Sequence, residues 1–164
     1  MTIIELGAVG EFIGAIAVVV TLIYLAIQMR QNTNALKLNT ARSVTEELQD
    51  SFSLLASNQE LAEIFATAAQ EPTLQGAERV RFNTFMHNLV RLHENAFLQS
   101  RAGVIDQAHW EGMTRMMIDY TSMAAFQTYW PDRKHWVSAE FQEYMETDVI
   151  SAPPKTGVSV PGAY

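Results

Sequence analysis

The sequence predicts an all-α protein with one N-terminal transmembrane helix followed by a small helical bundle. Two observations carry this. Residues 12–29 form an unbroken uncharged run, FIGAIAVVVTLIYLAIQM, and the rest of the chain repeats its apolar residues at helical spacing. A third observation excludes a sheet: no stretch alternates apolar and polar residues between hairpin turns.

The 164 residues suffice for an anchor of about 30 residues and one further domain with its own core. Lys and Arg are absent from residues 1–29, and only Glu5 and Glu11 are acidic there. At 1.5 Å per residue the run 12–29 is about 27 Å long, close to the hydrocarbon thickness of a bilayer. Ten of its residues are Phe, Ile, Leu or Val, which together favour insertion by roughly 3–6 kcal/mol. A cleaved signal peptide would need a basic n-region and a small-x-small site, where this chain has an acidic N-terminus and Leu25-Ala26-Ile27-Gln28. An interfacial helix would need one strongly polar face, which residues 12–27 lack. Arg30, Lys37 and Arg42 follow the run directly, so the positive-inside rule predicts an N-out, C-in orientation.

Gly7, Gly10, Gly14, Ala17 and Thr21 are spaced by 3, 4, 3 and 4 residues and share one helix face. Gly10 to Gly14 is a G-x-x-x-G. Small residues let two backbones approach closely in lipid, so this stripe predicts a helix–helix contact with a second copy or with another membrane subunit.

Residues 31–57 are expected to form a juxtamembrane stalk, with Asn32-Thr33-Asn34 as a point where the helix either loosens or runs on. Residues 58–150 are expected to form the helical domain. Ser57-Asn58-Gln59-Glu60 has the S-x-x-E form of a capping box and predicts a helix ending near Gln70, before Glu71-Pro72. The next helix, 77–101, carries Phe82, Phe85, Met86, Leu89, His93, Ala96 and Phe97 on one stripe and ends at Gly103. Asp106 is placed to cap a helix whose face holds Trp110, Met113, Met117 and Tyr120. A short segment, Phe126 to Trp130, is expected to stop at Pro131. Ser138 then opens a last helix to about Val149, and 151–164 reads as a flexible tail.

The chemistry-bearing residues are few. His87, Arg91 and Glu94 share a face and form a candidate polar site for a ligand or proton transfer. An ordinary Arg91–Glu94 pair is the simpler reading, and His93 reads as a hydrogen-bonded core histidine. Trp110, Trp130 and Trp136 are candidate docking aromatics, unless the core claims them. No Glu-x-x-His, nucleophile elbow, P-loop or dinucleotide fingerprint occurs, and the isolated histidines lack ligand spacing, so no metal and no cofactor is expected. The absence of cysteine removes disulfides, thiolate metal sites and cysteine nucleophiles. The net charge of −7 argues against a nucleic-acid partner. Lipid, a second copy or other membrane subunits are the expected partners.

GEFIGAIAVVVTLIYLAIQMRQNT at 10–33 resembles the opening of a widespread group of uncharacterised bacterial single-pass membrane proteins. Arg91-Leu92-His93-Glu94-Asn95, Gly103-Val104-Ile105-Asp106, Trp110-Glu111, Tyr129-Trp130 and Glu140-Phe141 are similar to the remainder of that group. The resemblance implies a bacterial inner-membrane protein with this anchor-plus-domain layout. It brings no catalytic residues. A non-enzymatic accessory or scaffold subunit is therefore the leading expectation, and a membrane-tethered enzyme or ligand sensor with a pocket near His87, Arg91 and Glu94 is the alternative.

Overall fold

The computed structural model describes residues 3–153, excepting the side chains of residues 4–6, 8 and 9. Most of the expected tail, 154–164, lies outside the described residues. The chain is all-α: α1 (Ile3–Ser57), α2 (Gln59–Gln70), α3 (Gly76–Arg101), α4 (Gln107–Thr121), α5 (Phe126–Arg133) and α6 (Ala139–Tyr144). A 3-10 turn (Lys134–Trp136) follows α5, and a π-helical turn (Met145–Ile150) follows α6. Among the described residues there is no strand. The chain divides into two compact units, residues 1–39 and 40–164, a boundary that falls inside the segment expected as a stalk.

In the first unit the helix runs on through Asn32-Thr33-Asn34 without loosening. It is long and apolar enough to cross a membrane, with a mean hydropathy of 2.4 over its most apolar stretch. Phe12, Ile16, Val20, Ile23 and Ile27 all face outward. Two polar side chains of the apolar stretch bond within the helix. Thr21 Oγ1 donates to the Ala17 carbonyl at 2.8 Å, and Gln28 Nε2 donates to the Tyr24 hydroxyl at 2.6 Å.

The second unit is built around α3. Phe82, Phe85, Met86, Leu89, His93, Ala96 and Phe97 are all buried, as their spacing predicts. Phe65 of α2 packs on Phe82 and Phe85, with ring centroids 5.2 and 4.8 Å apart. Met117, Phe126, Phe141, Met145 and Val149 complete the main core. A smaller cluster joins Val44, near the start of this unit's part of α1, to Leu92, Ala96, Ile105 and Met113.

The helix ends follow local chemistry, with two departures from the sequence reading. Gly103 takes φ +67, and the bonds Gly103 N–H to Ser100 O and Val104 N–H to Gln99 O form a Schellman end to α3. Asp106 Oδ1 accepts from the His109 N–H at 3.0 Å, capping α4 as expected.

At α2 the expected capping box is corrected. Ser57 stays helical as the last residue of α1, and Asn58, with an extended backbone, accepts from the Leu61 N–H at 3.0 Å. A cap must be non-helical, and only Asn58 meets that requirement. Glu60 pairs with Arg81 instead of reaching back.

Pro131 does not stop its segment, which is the second correction. α5 runs to Arg133. The proline leaves the Gln127 carbonyl without its helical donor, and within three residues the backbone tightens into the 3-10 turn. The last turn of α2 finds partners of its own: the Ala68 and Ala69 carbonyls accept from the Ala125 and Ala124 N–H groups.

Candidate functional site

The stripe Gly7, Gly10, Gly14, Ala17 and Thr21 lies exposed along the first unit. A methyl group added to any of its three glycines would meet no atom within 4 Å. Thr21 spends its hydroxyl proton on its own helix, so toward a neighbour it presents a nearly apolar, low-relief surface.

Of the three polar residues on α3, the structure joins two and separates the third. Glu94 is buried and its carboxylate is fully engaged. One oxygen pairs with Arg91, and the other accepts the Ser138 N–H at 2.7 Å. The carboxylate thus ties α3 to the start of α6. Arg91, half-exposed, opens with Glu94 onto a cleft of about 620 Å³, whose other lining includes Glu47, Asp50, Ser51 and Asn88.

His87 is absent from that cleft. It lines a separate groove of about 500 Å³ with Arg79, Asn83, Thr84, Arg133 and Trp136. Its ring meets the Trp136 indole edge-on, centroids 4.8 Å apart. Partial burial holds the His87 pKa below its usual value, and the Arg91 and Arg133 charges add to this. At neutral pH the ring is therefore uncharged and offers one donor and one acceptor.

His93 is the deeper histidine. It stacks on Trp110 at 4.9 Å, with Phe141 and Tyr144 at 5.8 and 5.9 Å. Its Nε2 lies 3.4 Å from the Tyr144 hydroxyl, which also bonds Thr114 at 3.0 Å. Nδ1 is buried without a partner. Burial pushes the His93 pKa down to about 3, so the ring is neutral. The same burial raises Tyr144 to about 12. The result is an aromatic cluster with a neutral histidine at its centre and the half-buried Trp110 and Tyr144 at its rim.

The tryptophans divide similarly. Trp130 is buried, stacks on Phe126 at 6.0 Å, and donates its Nε1–H to Glu146 at 3.3 Å. Trp110 is half-buried against His93 and Phe97. Trp136 is 50% exposed, and the Arg133 guanidinium sits 4.9 Å from its ring centre. The sequence reading singled out Trp136 and His87 but missed Arg133, whose i, i+3 spacing to Trp136 was the available signal.

Comparison of the chain with known protein families, characterised proteins and solved structures finds no match, so the chemistry of these surfaces rests on their own geometry.

Proposed function

We propose that this chain is a membrane-anchored accessory or scaffold subunit of the bacterial inner membrane, N-terminus outside and helical domain in the cytoplasm. It associates through the stripe Gly7, Gly10, Gly14, Ala17 and Thr21, with a second copy or with another membrane subunit. One observation carries the reading: an apolar helix whose side chains face outward also presents an open face of small residues. Lipid can cover the large side chains, but the shallow face gains most from a second backbone, because dispersion contacts are the chief attraction available in hydrocarbon. Arg30, Lys37 and Arg42 after the span support the orientation.

The alternative, a tethered enzyme or ligand sensor with a pocket near His87, Arg91 and Glu94, gains little as a catalytic centre. Glu94 is occupied by Arg91 and the Ser138 N–H, and His87 opens elsewhere.

The test is to extract the full chain in mild detergent and measure its mass free of detergent, together with whatever co-purifies. A defined dimer, higher oligomer or hetero-complex is expected, and Gly10→Ile with Gly14→Ile should dissociate it. A strict monomer with no companion would overturn the proposal.

A further inference from the structure

We propose that the groove between α3 and the Lys134–Trp136 turn binds a small organic monoanion, a carboxylate on a flat apolar body, with Arg133 as counter-charge and Trp136 as wall. The inference is independent of how the apolar helix associates.

Charge bookkeeping points to Arg133. In residues 40–153, Arg42, Arg79, Arg81, Arg91, Arg101 and Arg115 each pair with a carboxylate. Among the described residues of that unit, Arg133 is the one arginine without such a partner, although the chain carries 18 acids against 11 Lys and Arg. It is nonetheless held in place. One guanidinium nitrogen donates to the Asp132 carbonyl at 3.2 Å, and the guanidinium lies over the Trp136 ring. A stacked guanidinium keeps its in-plane N–H donors available for an anion.

The surroundings fit one negative charge and no more. No Asp or Glu lines the groove, and its second arginine, Arg79, is already matched by Asp132 at 3.1 Å. His87 is neutral at pH 7, so it adds hydrogen bonding without a second positive charge. The one arginine here without a carboxylate partner, Arg133, matches the charge of a single carboxylate. The half-exposed Trp136 and the exposed Val80 supply apolar surface for the body of the ligand, and Asn83 and Thr84 supply further polar contacts. A groove of about 500 Å³ suits a small organic molecule.

Benzoate is the probe and uncharged benzamide its control, added at constant ionic strength to the full chain in neutral detergent. The readouts are the Trp136 indole N–H and His87 ring resonances. Benzoate should shift both saturably, with benzamide about tenfold weaker or worse. Arg133→Gln and Trp136→Leu, each checked for helicity, should weaken benzoate about tenfold, while Arg101→Gln, which removes a positive charge elsewhere, should bind as wild type. If Arg133→Gln fails to fold, Trp136→Leu decides. Equal binding of benzamide, unchanged binding by the folded groove variants, or no shift with benzoate would each overturn the proposal. So would phosphatidylglycerol nanodiscs that shift the same resonances and block benzoate, because the groove would then belong to lipid headgroups.

Discussion

His93 is a buried residue with an unpartnered ring nitrogen. Its ring is neutral in the fold because nothing compensates a charge among Trp110, Phe141 and Tyr144. Once the chain unfolds, the ring regains a pKa near 6.5. Below that pH the unfolded chain takes up a proton that the folded chain refuses. The stability contributed by the neutral ring is therefore intact above pH 6.5 and is lost as pH falls toward about 3. The slope approaches about 1.4 kcal/mol per pH unit. His93→Phe removes the titration and also the unpartnered Nδ1, at similar volume. Chemical denaturation between pH 7.5 and 4.5 should show wild type weakening more steeply than this variant, with the two within about 1 kcal/mol at neutral pH. Parallel acid branches would show that His93 is not the titrating group.

The elements were legible wherever local chemistry decides. α3 could be read because its apolar residues keep one face from Phe82 to Phe97, about four turns, and its end because Gly103 supplies the left-handed residue there. The start of α2 was not, since Ser57 and Asn58 are both good caps and their backbone angles decide between them. The two can be told apart by substitution. Asn58→Ala should cost about 1 kcal/mol of domain stability and Ser57→Ala close to nothing, both read from thermal melts. Equal losses would restore the capping box. Pro131 and the π-helical turn were illegible for a different reason, namely that tertiary bonds span them. Trp130 and Lys134, on either side of the proline, both donate to Glu146 within the π-helical turn. The candidate polar site was half legible. Helical spacing does put His87, Arg91 and Glu94 on one face, but α1 residues 47–51 line the cleft beside Arg91, and the Lys134–Trp136 turn flanks His87. Neighbours distant in sequence split that face, and no spacing rule on α3 reports them.

For the whole molecule, one chain holds two solutions to burying apolar surface. Residues 40–153 do so internally, around the aromatic and methionine core of α2 to α6. The apolar span of α1 does not: none of its most apolar stretch is buried within the chain. Ten large apolar side chains left in water are costly, and under the proposed function a bilayer is the solvent that removes the cost. Membrane insertion is the premise of the proposed function, and a fractionation measures it directly. Membranes carrying the full chain are washed with alkaline carbonate, and the chain is followed in pellet and supernatant. Wild type is expected to stay in the pellet. Val19→Lys with Leu22→Arg costs about 6–8 kcal/mol of insertion, more than the span's apolar residues supply, and should move the chain to the supernatant. Wild-type chain released by the wash, or a charged variant retained as firmly as wild type, would contradict insertion.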